Sequence, residues 1–563
     1  MWNWTGFRNR EDQIAIALSL VVGVLVGLTV VAFILLTGRL AARMYPPESA
    51  GWRRALVPVL GTLISGILLF KYFPNARGSG IPQAKFALFL QDGYISLRTV
   101  IGKFLCCSIS LASGIALGRE GPSVQIGAGI ASVLARRFGL SKAKVQALVP
   151  VGCSAALAAA FNTPIAAVLF SLEEILGDLN APVLGSVVLS SATSWMVLHL
   201  ILGDEPLFHV PSYQLVNPLE FITYAILGIV GGIGSVCFVK LLLRLRVWFR
   251  RMPPSTVWLQ PVAGGVLMAV FGLIRPEALG VGYDYVDRVL GGDFPVKIVA
   301  LLAVMKIIAT PACYSSGNAG GIFGPSLFIG AMIGGTVGSV AHAFFPNVTA
   351  NPGAYALVGM GTAFAGIVRT PLTSVIMIFE MTRDYSIIVP LMISNLISFF
   401  ISQQLQHEPI YEALALQEGV YLPTGESREE LTGIRVAEVM KRDVEPLPAE
   451  AEVASAKARF EQEKCNSWPV GSRNYLEAVI SLHQMETADP APTTIRDVIK
   501  KNGDYPYVHQ DHPLSYALDR MGHASVDVVP VVSRSNIREM YGVVTLRGVL
   551  ATYGVAGGDG AAK

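Results

Sequence analysis

The sequence predicts an all-helical, polytopic membrane domain, built as an internal repeat with re-entrant half-helices and followed by a soluble α/β tail. Three observations predict it. Only 15% of the 563 residues are charged and mean hydropathy is +0.52, where a soluble chain carries about a quarter charged residues. Residues 118–130, GREGPSVQIGAGI, and 321–333, GIFGPSLFIGAMI, are copies of one another. The apolar character ends near residue 405, after which short strand-like and helix-like segments alternate.

The apolar runs are 13–37, 55–70, 182–202, 219–242, 257–274, 297–312, 354–382 and 386–405. Several reach the roughly 20 residues needed to span a bilayer. Others are short or interrupted by Gly and Pro, which fits half-length helices buried in protein. The 56 glycines suit close helix packing in lipid. The first run is too long for a signal-peptide core and reads as a span. Basic clusters at 136–144 and 244–251 place those loops in the cytoplasm. The six cysteines show no zinc or disulfide spacing and read as reduced packing residues, so no metal is expected. The net charge of +3 carries little information, and no nucleic-acid partner is expected.

The repeat extends beyond the glycine turns. Lys103 pairs with Lys306, Ser113-Gly114 with Ser316-Gly317, Val151-Gly152 with Val358-Gly359, Thr163-Pro164 with Thr370-Pro371, and Glu173 with Glu380. The domain boundaries follow: a membrane domain over 1–405 with halves near 13–205 and 219–405, and a connector over 406–430. The tail is duplicated over 431–489 and 490–554, with 555–563 disordered. In the tail VAEVM (436–440) parallels IRDVI (495–499), and Pro469-Val470 parallels Pro530-Val531. Spacing leaves open whether the membrane halves run parallel or inverted, although transporters often place their site between inverted repeats.

Each glycine turn runs into an apolar helix with proline near its first turn. Free N–H groups and the positive end of the helix dipole then face one point, which suits an anion. A third turn, GSGIP (78–82), carries Ser79, which reads either as an N-cap or as a hydroxyl donor to that anion. Glu120 lies inside GREGPS, and ionisable groups within a membrane are usually functional. A carboxylate there imitates the anion while charged and leaves once protonated, so one residue can gate and carry protons. Arg119 either orients this turn or snorkels at its rim. The run TPIAAVLFSLEE ends in Glu173 and Glu174. Glu173 has Glu380 as its repeat partner and reads as structural, whereas Glu174 faces Met381 in the other copy and stands out by that asymmetry. Lys103 and Lys306 are lone cations that raise the local positive potential, and Tyr411 reads as an interfacial belt tyrosine.

Together GSGIP (78–82), GREGP (118–122), GGIFGP (320–325) and Tyr411 resemble the CLC chloride channels and transporters, and the duplicated tail resembles tandem CBS domains. The resemblance implies an inverted-repeat helical fold and a homodimer with one pore per subunit. It also implies a multi-pass protein of a bacterial inner membrane with a cytoplasmic tail. It places central chloride on Ser79, Tyr411 and the N–H groups of Ile322 and Phe323, and outer chloride near the amides of Arg119 through Gly121. It makes Glu120 the external gate and Glu174 the internal proton-transfer group. That pair implies H+/Cl− exchange rather than a passive voltage- or pH-gated channel, or an anion sensor without flux. No enzymatic activity is expected. Two departures stand out. Gln83 replaces a common glutamate, and Gln484 and Gly548 occupy places where nucleotide-binding CBS units carry aspartate, so no cofactor is expected and the tail reads as structural or dimer-stabilising, with an adenine nucleotide at the CBS units as the alternative.

Overall fold

A computed structural model describes residues 10–418 apart from 47–48, 180–181, 205–206, 209, 211–212, 214 and 293, together with 420, 434–487, 493–499 and 505–552. The chain divides into two compact units, Met1–Leu422 and Pro423–Lys563.

The regular elements of the first unit are helices among its described residues. Its first half comprises α1 (Arg10–Met44), α2 (Gly51–Lys71), α3 (Ile81–Leu90), α4 (Leu97–Ala112), α5 (Glu120–Arg137), α6 (Lys142–Phe161), α7 (Pro164–Phe170) and α8 (Leu184–Leu202). The second comprises α9 (Glu220–Arg250), α10 (Gln260–Ile274), α11 (Tyr283–Leu290), α12 (Val296–Ser315), α13 (Phe323–Phe344), α14 (Pro352–Val368), α15 (Pro371–Thr382) and α16 (Ile388–Leu405). Among the described residues, 8 helices are long and apolar enough to cross a membrane. The apolar runs read from the sequence left out α3 to α7, α11 and α13, although α6 and α13 are long and apolar enough to span. Residues such as Ser154, Ala155 and Ala156 face other helices rather than lipid and are fully buried. The single apolar run at 354–382 is two helices, because Arg369 adopts φ +66° and Pro371 starts the next helix.

The two halves exchange bonds about a local two-fold. Gly118 N–H donates to Gly321 O at 2.7 Å and Gly321 N–H returns the bond to Gly118 O at 2.7 Å. Glu173, just past the end of α7, accepts from Thr373 N (2.8 Å) at the start of α15. Glu380, near the end of α15, accepts from Ile165 N (2.9 Å) and Ala166 N (2.7 Å) at the start of α7. Each carboxylate satisfies orphan amides at the other helix's positive end. Such an exchange requires α7 and α15 to run antiparallel, so the repeat is inverted. The structural reading of Glu173 and Glu380 agrees with this geometry.

Paired glycines hold the helices of each half at backbone distance. A Cβ on Gly127 of α5 would lie 2.2 Å from Gly152 O of α6, and one on Gly359 of α14 would lie 2.3 Å from Gly330 O of α13. Gly359→Val forces these backbones apart and is expected to cost about 1–3 kcal/mol or more, as overpacking does. A fall in the unfolding temperature of the detergent-solubilised protein checks this.

The segment expected as a connector, 406–430, is described over 406–418 and at 420. Residues 410–417 form α17 (Ile410–Gln417), which belongs to the first unit and packs on α3, α9 and α14. Residues 421–433 and the tail at 555–563 lie outside the described residues. In the second unit β1 (Ser467–Ser472) pairs antiparallel with β2 (Tyr475–Ser481), and β3 (Val528–Val532) with β4 (Met540–Thr545). Leu447 bridges Val470 in parallel, and Val508 bridges Val531 in parallel, so both copies repeat one pattern. Trp468 is fully buried in the first copy's core.

Candidate anion and proton site

The glycine turns converge where the halves meet. Gly78 and Gly80 adopt φ +82° and +106°, a region open to glycine without strain. Gly78 bridges Ala319 in parallel, and a Cβ on Gly80 would lie 2.3 Å from Gly121 O. The turns before α3, α5 and α13 therefore touch, with no room for side chains between them.

A fourth turn, GVG at 280–282, precedes α11 and was not singled out in the sequence. Gly280 and Gly282 have φ +66° and +87°, so this turn is the repeat copy of GSG at 78–80. Lys103 shows the correspondence. Its ammonium, fully buried, donates to Ala76 O (3.0 Å) and Gly78 O (2.7 Å), while Lys306 donates to Ala278 O (3.2 Å) and Gly280 O (2.5 Å). The two lysines thus staple the GxG turns through their carbonyls, and their charge reaches the anion point only through that backbone.

Glu120 is fully buried at the head of α5. Its carboxylate leans onto the opposite half: Oε2 accepts from Gly324 N (3.2 Å) and Oε1 from the Tyr283 hydroxyl (2.5 Å). Arg119 Nε lies 4.0 Å from Oε1, closer to an orienting role than to a solvated rim. Gly324 belongs to the first turn of α13, whose leading amides have no intrahelical acceptor. A carboxylate therefore sits where a glycine turn presents its positive helix end. Ile322 and Phe323, just ahead of Gly324, are buried, and the Phe323 ring is clamped by Phe161 (5.0 Å), Phe170 (5.3 Å) and Phe364 (4.3 Å).

Ser79 and Tyr411 are each 1% exposed, and among the described residues neither buried hydroxyl has a hydrogen-bond partner. Ser79 is therefore not an N-cap. Gln83 does that work, its Oε1 accepting from Gly80 N at 2.8 Å. Burial also excludes the interfacial-belt reading of Tyr411. Two buried, unsatisfied hydroxyls in a close-packed interior cost free energy unless something accepts from them. Both lie on elements that pack together, since α17 rests on α3, which Ser79 precedes.

Glu174 is buried rather than a solvated helix end, and its Oε1 pairs with Lys85 Nζ of α3 at 2.8 Å. It lies in a π-helical turn, Ser171–Leu176, where the wider winding aims adjacent Glu173 and Glu174 at different partners. Tyr283 and Lys85 are the side chains in contact with Glu120 and Glu174 that the sequence reading missed. Lys85 had a signal, as a lone cation in the apolar IPQAKFALFL. Tyr283 had one only once GVG is seen as a copy of GSG.

In the tail, Gln484 Oε1 accepts from Ser481 N (3.0 Å), capping its own helix. Asp527 faces a cleft lined also by Lys441, Lys464 and Arg547, but its oxygens already accept from Asn466 N (2.6 Å) and Ser467 Oγ (2.5 Å). These two bonds tie Asp527 to the strand beside it.

Known proteins share this architecture. The voltage gated chloride channel family matches residues 61–403, and a CBS domain matches residues 495–553. The H(+)/Cl(−) exchange transporter ClcA of Vibrio campbellii is 32% identical over 365 residues, covering 62% of this chain and 78% of that protein. A slow cyanobacterial Cl−/H+ antiporter of known structure aligns with TM-score 0.67 at 26% identity, covering 72% of this chain and 97% of the other. A eukaryotic CLC transporter shares the fold with TM-score 0.65 at 22% identity, over 95% of this chain and 98% of that one. With its inverted repeat, converging glycine turns and CBS tail, this chain is a multi-pass membrane protein of the voltage-gated chloride channel (CLC) family.

Proposed function

We propose that this protein is a secondary active transporter that exchanges chloride for protons across a bacterial inner membrane. It works as a homodimer with one pore per subunit, its tail in the cytoplasm. One observation carries this reading: the Glu120 carboxylate rests on the amide of Gly324 and the hydroxyl of Tyr283, in the place of an anion. A group that mimics the transported ion and also takes a proton links the two fluxes.

The cycle follows from that placement. Chloride at the central site accepts from Ser79, Tyr411 and the amides leading α13. Ionised Glu120 blocks the way outward. Protonation removes its attraction for the helix end, the side chain swings out, and chloride takes its place. Deprotonation outside returns the carboxylate and expels the anion. Glu174 supplies protons from the cytoplasmic side. The first test is proton movement in liposomes under an imposed chloride gradient. Uphill proton transport supports exchange, and a flat pH trace beside rapid chloride release overturns it.

The Lys85–Glu174 ion pair favours a second reading, a passive chloride channel. A carboxylate anchored at 2.8 Å by a buried lysine is held in place by that pair rather than free to relay protons. Lys85→Met distinguishes the two. Under exchange, a buried Glu174 without its counter-charge takes a proton more readily, and half-maximal proton transport moves to higher internal pH. In a passive channel the variant leaves the pH trace flat.

A further inference from the structure

Tyr283 stands outside the residues so far given a role in transport, yet it makes the shortest contact to Glu120 in the site, 2.5 Å between oxygens. Three features hold it there. It opens α11 directly after Gly282, whose φ of +87° turns the chain. The turn is stapled through Gly280 O by buried Lys306. Its ring meets Phe208 edge-on at 5.5 Å and lies under the Arg119 guanidinium at 5.7 Å. The gate belongs to the first half of the repeat and Tyr283 to the second.

We propose that Tyr283 is the latch of the gate and the side-chain ligand of the outer anion position. This rests on the reading of Glu120 as the gate. A phenol donating to a carboxylate makes a charge-assisted hydrogen bond, available at full strength only while Glu120 is ionised. The bond therefore favours the closed gate. When Glu120 leaves, the hydroxyl and the Gly324 amide lose their shared acceptor together. A Cβ on Gly324 would lie 2.7 Å from the Tyr283 oxygen, so the two donors are neighbours. Two adjacent buried donors without an acceptor are costly, and an incoming anion satisfies both. The outer position then has a tyrosine hydroxyl from the second half, as the central position has Tyr411. The other ionisable groups facing Glu120 are Arg119 on its own turn, Cys107 on α4 and Tyr411 on α17. Of these groups Tyr283 is the one that donates a hydrogen bond to it.

The test uses the full-length protein in liposomes, with Tyr283→Phe, Glu120→Gln and the double variant. For Tyr283→Phe, chloride flux at neutral pH rises and the flux–pH profile moves alkaline by about one unit, a tenfold change in proton concentration. The proton-to-chloride ratio is retained, because Glu120 still titrates. In the Glu120→Gln background, Tyr283→Phe leaves the pH profile unmoved and weakens chloride binding, read by calorimetry, several-fold. A wild-type pH profile in Tyr283→Phe, beside an uncoupled Glu120→Gln, overturns the latch and leaves the gate standing. Unchanged chloride affinity in the double variant overturns the ligand role. Normal proton pumping in Glu120→Gln removes the gate itself, and the latch with it.

Discussion

Glu120→Gln abolishes proton movement while chloride continues to flow, faster than in the wild type at neutral pH. The carboxylate faces two donors, Gly324 N–H and Tyr283 O–H, with one oxygen for each. Glutamine has one acceptor oxygen where the carboxylate has two, so with that oxygen on Gly324 N–H its NH2 donates to the Tyr283 oxygen and the phenol proton loses its acceptor. It also lacks the charge that binds the helix end. Losing one charge-assisted hydrogen bond and leaving a buried donor unpaired costs about 1.5–3 kcal/mol. That is roughly a tenfold to hundredfold loss of closed-gate population, at 1.4 kcal/mol per decade. The side chain therefore leaves the site, and the anion meets no competitor. Chloride release no longer varies with pH, and no proton travels with it. Parallel records from a chloride electrode and a pH probe in the same liposomes check both halves of the prediction.

Glu174→Gln separates the fluxes differently. The amide keeps an oxygen for Lys85 but cannot titrate, so proton delivery from the cytoplasmic side falls by about a hundredfold or more, the usual worth of a positioned acid–base group. Chloride transport persists, because Glu174 touches neither Ser79 nor the helix ends at Gly121 and Gly324 in any recorded hydrogen bond. The variant also leaves the Lys85 ammonium, only 7% exposed, without its counter-charge. Breaking a buried pair by removing one partner costs roughly 3–5 kcal/mol unless the orphan neutralises. Thermal unfolding therefore drops in Glu174→Gln and recovers in Lys85→Met/Glu174→Gln. Unaltered proton coupling in the single variant would make Glu174 a structural partner of Lys85 and nothing more.

Much of this site was legible because its signals are local. A glycine turn into an apolar helix leaves amides free whatever surrounds it, so the turns were legible from the chain, while Ile322, Phe323 and Gly121 were named through the resemblance to the CLC family. Glu120 announced itself as a carboxylate within such a turn. The inverted repeat left its mark as paired residues. Tyr411 was assigned to chloride only through the resemblance, since a tyrosine past an apolar run looks the same at a membrane interface as in a closed interior. Ser79 stayed open between cap and ligand until Gln83 was seen to cap its helix. Within the expected connector α17 went unseen because it is short and mixed in composition, and is held by the helices around it.

By itself the sequence determined that the chain enters a membrane, that it is duplicated, and where its helices present bare amides, because hydropathy and turn geometry act over a few residues. Tertiary structure alone decided which charges meet. Lys85 reaches Glu174 across 89 positions, Tyr283 reaches Glu120 across 163, and Gly324 reaches it across 204. Hydrogen bonds and ion pairs decay within a few ångströms, so partners that far apart in the chain become defined only when packing against the inverted copy brings them into contact.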